Sequence, residues 1–206
     1  FLGADVVVTP VTSNSALEGC GTFSRVLRTR VGSPYVIAGM ADALAAGAGT
    51  VVGFEANGGV LLGSAVRRGG RVLAALPTRD ALLPILCVLA SVADNRQPLN
   101  QLAGAYGFAV ALSDRVQDVP AERSSALITR IQTDAAYRVA TFAPLGGIIR
   151  MDMTDGLRMT SGQGDTLHFR ASGNAPELRV YVEAGDAARA RDVMSFGLAL
   201  AETARG

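Results

Sequence analysis

The sequence predicts an α/β layer domain over residues 1–100, followed by a small α+β domain with an antiparallel sheet over residues 101–206. Three observations lead there. In the first half, short valine-rich runs alternate with helix-length apolar segments, the pattern of strands buried between helices. Within that half, Asn57-Gly58 splits two β-type runs, and both residues tolerate the positive φ of a tight hairpin. In the second half, strand-type runs are grouped in the middle with helix-type segments at both ends.

Element by element, residues 4–11 are rich in valine and read as a buried strand, polar residues 12–15 turn the chain, and residues 17–27 can form a helix. A second helix is expected over residues 34–46. Ser33 can cap it, Pro34 suits its first turn, and Tyr35, Ile37, Met40 and Leu44 fall roughly on one face before Gly47 and Gly49 end it. The hairpin of residues 51–56 and 60–66 follows, closed by the polar stretch 67–71. Asp80 then caps a helix reaching about Ala93, whose nearly continuous apolar character implies burial on most sides. Residues 94–100, polar and interrupted by Pro98, are the expected linker. Beyond it, residues 108–112 read as a strand and 121–133 as a helix. Residues 137–142, 148–153, 157–160, 167–171 and 178–184 read as strands, and 187–204 as a closing helix.

A composition of 49% hydrophobic and 18% charged residues belongs to a folded globular chain. The longest mainly apolar run, residues 81–93, contains Pro84 and is shorter than the roughly 18 to 20 residues that cross a bilayer. A net charge of +1 lacks the basic excess that nucleic acid or an anionic membrane requires, so neither is an expected partner, whereas a small ligand stays open. All 19 basic residues are Arg, so any anion must be met by guanidinium forks or backbone amides. Cys20 and Cys87 lie in apolar contexts with no CxxC spacing, as reduced, packed cysteines of an intracellular protein do. His168, the single histidine, has no partner Ser, Cys or acidic cluster to mark a triad and reads as packing or hydrogen bonding in its strand; no metal-ligand set is apparent. The chain begins at Phe1 in what reads as a strand rather than a signal peptide, so it is expected to be a fragment.

The segment richest in chemistry is residues 167–184. A strand ends at Arg170, the small polar residues Ala171, Ser172, Gly173 and Asn174 follow, and a second strand starts near Leu178. Small residues let backbone amides approach an anion. Arg170 and Arg179 would add bidentate charge-assisted bonds, and Ser172 and Asn174 can donate to further oxygens. The same residues suit an ordinary β-turn with its arginines in solvent, so composition leaves a phosphate cradle and a structural turn both open. Glu55, beside Asn57-Gly58, is a carboxylate that could accept two hydrogen bonds from a polar ligand or be a plain strand residue next to a turn. Gly32 and Ser33, at a helix N-terminus, could offer amides to a polar ligand or only cap the helix.

Four motifs bear on these alternatives. Arg170-Ala171-Ser172-Gly173-Asn174-Ala175-Pro176 resembles the R-x-S-G-T-E-P phosphate signature of the last domain of the α-D-phosphohexomutases, with Asn174 and Ala175 where Thr and Glu are usual. Gly53-Phe54-Glu55-Ala56-Asn57-Gly58-Gly59 is similar to the family's sugar-recognition loop, G-E-x-S-G-H, with Asn57 at the Ser position and Gly59 at the His position. Arg28-Thr29-Arg30-Val31-Gly32-Ser33-Pro34-Tyr35-Val36 resembles the family segment T-x-V-G-x-x-Y-V. Asp155-Gly156-Leu157-Arg158, followed by Gly164 and Asp165, resembles the family's approach to the phosphate loop.

The resemblance implies the third and fourth domains of a four-domain enzyme: a three-layer α/β/α domain with a mixed sheet, then an α+β phosphate-binding domain. Glu55, Asn57, Gly32 and Ser33 are then the implied sugar-binding residues, and Arg170, Ser172, Gly173, Asn174 and Arg179 the implied phosphate grip. The family's phosphoserine segment, T-A-S-H-N-P-like, and its Mg²⁺ loop, D-G-D-x-D-R-like, are absent from this sequence. Ser13 and Ser15 resemble the opening turn of the third domain instead. The implied intact protein is a cytoplasmic isomerase that moves a phosphoryl group between a phosphoserine and a hexose phosphate, with mannose the expected sugar, through a bisphosphate. Its nucleophile and Mg²⁺ ligands would lie in the missing N-terminal half, so the fragment is expected to hold no catalytic or metal-binding residue and to be inactive alone. A glucose- or glucosamine-phosphate mutase and a non-catalytic sugar-phosphate-binding module are the alternatives.

Overall fold

A run of β-branched residues without polar interruption favours a strand enclosed on both faces. In the computed structural model, which describes residues 1–205, Val6–Pro10 form such a strand, β1, buried at every residue. It belongs to the first of two units, Phe1–Phe108, and the second begins at Ala109. After β1 come α1 (Ala16–Gly19), β2 (Arg25–Thr29), α2 (Ser33–Ala45), β3 (Val51–Phe54), β4 (Val60–Leu62), β5 (Val66–Arg68), β6 (Arg71–Leu73), β7 (Leu76–Asp80), α3 (Leu82–Asn95) and α4 (Leu99–Gly104). The sheet runs β2-β1-β3-β4-β7; β1 pairs parallel with β2 and β3, while β4 pairs antiparallel with β3 and β7. This is the mixed sheet that the resemblance implies.

Strand alternation sends Val6 and Val8 to one face, where they pack with Val36, Met40 and Ala43 of α2. Val7, Val52, Phe54 and Val60 border the opposite side, where α1 and α3 form the other helical layer. Between that layer and the sheet lies an open apolar cavity of about 770 Å³, which Phe1, Cys20, Leu83, Cys87, Tyr106 and Phe108 also line.

Several local readings give way to tertiary contacts. Residues 25–29 form β2 rather than the end of a helix, because Arg25 through Thr29 find parallel backbone partners in Val6 through Pro10. The buried stripe of α2 runs through Val36, Met40 and Ala43, while Tyr35 and Ile37 are exposed. Ser33 is the first helical residue rather than the cap, a place taken by Gly32 at φ 130°. The polar stretch 67–71 closes a separate hairpin of β5 and β6 instead of the Asn57-Gly58 one. Helix α3, expected to be buried on most sides, has no buried residue, and Leu82 is 70% exposed. The cavity separates it from the sheet, and its outer apolar side stays open to solvent. The domain boundary read at residues 100/101 moves to 108/109: α4 packs on α3, and Tyr106 and Phe108 pair their rings 5.9 Å apart at the cavity of the first unit.

The second unit comprises β8 (Val110–Gln117), α5 (Ala121–Thr133), α6 (Ala135–Phe142) with a 3-10 turn after it, β9 (Ile148–Asp152), β10 (Leu157–Ser161), β11 (Thr166–Ala171), β12 (Glu177–Ala184) and α7 (Ala187–Glu202). Its sheet, β8-β12-β11-β10-β9, is antiparallel throughout, as expected. One face, with Leu157, Met159, Leu167, Phe169, Leu178, Val180 and Val182, forms the core with α5, Phe142 and α7. Residues 137–142 are helical rather than a strand. Asp134 caps them, its Oδ1 accepting the Tyr137 N–H at 2.9 Å, and alanines 135 and 136 favour the first turn. Among the described residues no helix is long and apolar enough to cross a membrane.

Gly53 sets how closely α2 lies on β3: a Cβ there would sit 2.6 Å from Val36 Cγ1 and 2.7 Å from Met40 Sδ. Gly53→Ala is therefore expected to destabilise the chain by about 1–3 kcal/mol through overpacking, measured by urea denaturation; unchanged stability would mean that the helix–strand spacing is not limiting.

Candidate functional site

Open α/β sheets bind ligands beyond the carboxyl ends of their parallel strands, where loops diverge. In the first unit three loops leave that edge: residues 11–15 after β1, 30–32 after β2 and 55–59 after β3. Glu55 follows β3 directly and is only 8% exposed. The Ser33 hydroxyl, at the start of α2, donates to Glu55 Oε2 at 2.5 Å, so two motifs found separately in the sequence meet. The Asn57-Gly58 turn fixes the backbone around Glu55. Its N–H donates to the Gly59 carbonyl at 2.9 Å, the Gly58 N–H donates to the Glu55 carbonyl at 3.1 Å, and Asn57 Oδ1 accepts the Gly59 N–H at 3.1 Å. That bond orients the Asn57 amide so that its NH₂ points away from the turn's backbone and can donate to a ligand. Arg79 packs its stem over Gly59, within 2.9 Å of where a Cβ would lie, and so fills space that a larger residue would need.

The loop after β1 is braced by side chains to which the sequence reading gave no such role. Thr9 Oγ1 lies 2.6 Å from Ser13 Oγ and donates to the Phe54 carbonyl at 3.0 Å, joining the ends of β1 and β3. Arg28 donates to the carbonyls of Pro10, Ser13 and Asn14 while its Nε and one terminal nitrogen grip Glu18. Arg28 stood within the quoted motif, but nothing local announces carbonyl partners 14 to 18 residues away.

In the second unit, alternation sends Arg170, Arg179 and Arg115 to the face opposite the core. They are direct cross-strand partners, Arg170 with Arg179 and Arg179 with Arg115, forming a row across β11, β12 and β8. Like charges in such register repel, and two carboxylates offset them. Glu177 accepts from Arg179 Nε at 2.8 Å and NH2 at 2.7 Å, and lies 3.3 Å from Arg115 Nε. Asp155 Oδ2 accepts from Arg170 Nε at 2.7 Å. The hydrogen bond from Arg179 holds the Glu177 carboxyl below its ordinary pKa.

Between β11 and β12 the chain turns tightly. Ser172 N–H donates to the Glu177 carbonyl at 3.0 Å, Glu177 N–H to the Ala175 carbonyl at 2.8 Å, and Asn174 N–H to Ser172 Oγ at 3.4 Å. Among the described residues, the Gly173 amide and both terminal nitrogens of Arg170 have no acceptor. Arg170, Gly173 and Asn174 thus share one loop with open donors, while the Ser172 side chain and Arg179, both also named from the sequence, are engaged by Glu177.

His168, two residues before that loop, is 1% exposed. Its Nε2 lies 2.6 Å from the Asp155 carbonyl and its ring stacks on Tyr181, 5.3 Å between centroids. A carbonyl only accepts, so Nε2 carries the proton and the buried Nδ1 has no partner among the described residues. Among those residues no group of three or more His, Cys, Asp or Glu gathers as a metal set.

The chain thus carries an α/β layer unit with polar loops at one strand edge and an antiparallel unit with an arginine-framed turn. Residues 2–107 match the model for phosphoglucomutase/phosphomannomutase alpha/beta/alpha domain III, and residues 109–196 that for the C-terminal domain. The chain belongs to the phosphoglucomutase/phosphomannomutase family, in agreement with its motifs. It is 46% identical over 97% of its length to a phosphomannomutase of Sinorhizobium fredii, of which it covers 42%. Its fold is similar to a phosphoglucomutase/phosphomannomutase family protein of Burkholderia thailandensis, with a TM-score of 0.64 and 19% identity over 98% of this chain and 38% of that one. An N-acetylphosphoglucosamine mutase of Aspergillus fumigatus, solved with GlcNAc-6P and magnesium, matches with a TM-score of 0.61 and 14% identity over 98% and 39%. The chain therefore spans about two fifths of the relatives it matches.

Burial, more than any other influence, lowers the His168 pKa from 6.5 to about 4, aided by Arg158 and Arg170 and opposed by the Asp155 contacts. Between those values the unfolded chain binds a proton that the folded chain does not, so stability is full above pH 6.5 and falls as the pH drops toward 4. A loss of about 3 kcal/mol at most is expected across that window, read by urea denaturation, and His168→Leu should remove that component; an identical pH slope in the variant would exclude His168 as its source.

Proposed function

We propose that this chain is the substrate-recognition part of a phosphohexomutase that interconverts hexose 6-phosphate and hexose 1-phosphate, with mannose as the sugar. The observation that carries the reading is the Arg170 loop, where guanidinium and amide donors have no acceptor among the described residues. Identity to a protein named phosphomannomutase supports the choice of sugar. The donor set has the chemistry of a phosphate clamp: two terminal nitrogens of Arg170, the Gly173 amide and the Asn174 side chain, with Arg179 and Arg115 extending the positive field. Glu55 would read two neighbouring sugar hydroxyls, held by Ser33 and bordered by Gly32, and Asn57 would donate its amide nitrogen to the sugar.

Phosphoryl transfer asks mainly for positioning and charge stabilisation. In this reading the chain supplies positioning: it holds the phosphate that is not reacting while the sugar turns between two orientations. The phosphoserine, the bisphosphate chemistry and the Mg²⁺ ligands belong to parts of the protein outside this chain, a division supported by the greater length of its relatives.

Arg170→Ala in the protein carrying the remaining domains is expected to weaken hexose-phosphate binding roughly 10- to 100-fold, the effect of losing hydrogen bonds to a charged group; unchanged affinity by calorimetry would remove Arg170 from the site. The 206-residue chain alone is expected to show no turnover of mannose 1-phosphate in a coupled assay. Robust turnover by it would sink the division of labour.

A further inference from the structure

We propose that Asp155 and His168 are positioning residues of the phosphate clamp, Asp155 aligning Arg170 by holding its Nε and His168 aligning Asp155 by holding its backbone carbonyl. The inference rests on the reading of the Arg170 loop as the phosphate site. A guanidinium has two bidentate edges, one formed by Nε with a terminal nitrogen and one by the two terminal nitrogens. Arg179 and Arg189 give both Nε and NH2 to their carboxylates, Glu177 and Asp165. Arg170 gives Asp155 only Nε, at 2.7 Å. That contact removes the side edge from use, restricts rotation of the group and leaves the end-on edge as the single fork for an anion.

Asp155 can do this because its turn lies close against β11. Gly156, at φ +79°, has no room for a Cβ, which would come 2.2 Å from the Phe169 carbonyl and 3.0 Å from Arg170 Cα. His168 then pins the same turn through its 2.6 Å bond to the Asp155 carbonyl. An aliphatic residue would fill the space without leaving a buried nitrogen unpaired, so what the imidazole adds is the Nε2 donor. The groups facing it are Arg158, its cross-strand partner, Tyr181, stacked on it, and Arg170 and Asp155. Burial and the two arginines keep the ring neutral near pH 7, so the donor is permanent there.

The test is ¹⁵N NMR of the Arg170 side chain in the 206-residue chain, assigned against Arg170→Ala, during titration with inorganic phosphate and with mannose 6-phosphate. Asp155→Ala should move the Arg170 Nε–H signal to the position of solvent-exposed arginines and raise the dissociation constant about tenfold, a loss of one hydrogen bond to a charged group. In the Arg170→Ala background the same change should cost nothing further. His168→Leu should weaken binding by a few-fold, and His168→Gln, which keeps a donor near Nε2, should restore it. If Asp155→Ala fails to fold, Asp155→Asn is read instead, with a smaller loss in the same direction. An unmoved Nε–H signal and dissociation constant, or losses that add to those of Arg170→Ala, overturn the proposal. If phosphate and mannose 6-phosphate leave the wild-type Arg170 signal unmoved, the phosphate reading falls first and the positioning role with it.

Discussion

A carboxylate taken out of water stays charged only where donors replace its hydration, and this requirement organises both units of the chain. Glu55, Asp165, Glu177 and Glu183 are each more than nine-tenths buried. Each meets a hydrogen-bond donor or a cation: Ser33 for Glu55, Arg189 and Ser161 for Asp165, Arg179 on the same strand and Arg115 on the next for Glu177, and Arg158 as an ion pair for Glu183. Apolar packing holds a helix on a sheet but is weakly directional. These pairs add direction: Asp165 ties the β10–β11 turn to the first turn of α7, and Glu55 ties the end of β3 to the start of α2.

In the second unit the same requirement acts on a sheet whose period of two has already sorted its residues. Leu178, Val180 and Val182 face the core, while Arg179, Tyr181 and Glu183 take the other face. Three arginines in one cross-strand row would repel, yet Asp155 and Glu177 leave the row intact by pairing at its ends and centre. The outcome is a row of guanidinium donors held in place by protein carboxylates. Such preorganisation is what electrostatic recognition needs, since little has to reorganise on binding.

The first unit divides its rigidity unevenly. On one face α2 docks closely at glycines: a Cβ at Gly39 would lie 2.9 Å from Val8 Cγ1, and Gly53 is tighter still. The polar loops at the strand ends inherit that rigidity. On the other face α3 stands off over the apolar cavity, with free thiols Cys20 and Cys87 among its lining.

The sequence by itself determined the period-2 strands of the second unit, the Asn57-Gly58 hairpin, α5 to the residue, and the two loops in which Glu55 and Arg170 stand. Each is a local matter: turn chemistry, alternation or a short motif carries its own signal. Only tertiary structure decided that residues 25–29 are a strand, since their partner is β1, and that α3 is exposed, since periodicity states a helix's apolarity and not what covers it. An N-cap at Asp134 overrode the strand-like residues 137–142. The largest gap was in the site itself. The motifs named Arg170 and put Asp155, 15 residues earlier, in the approach to its loop without giving it a role, and His168 read only as packing or hydrogen bonding in its strand. A guanidinium's orientation depends on which of its nitrogens is already taken, and that is settled by chain segments brought together only when β10 and β11 pair.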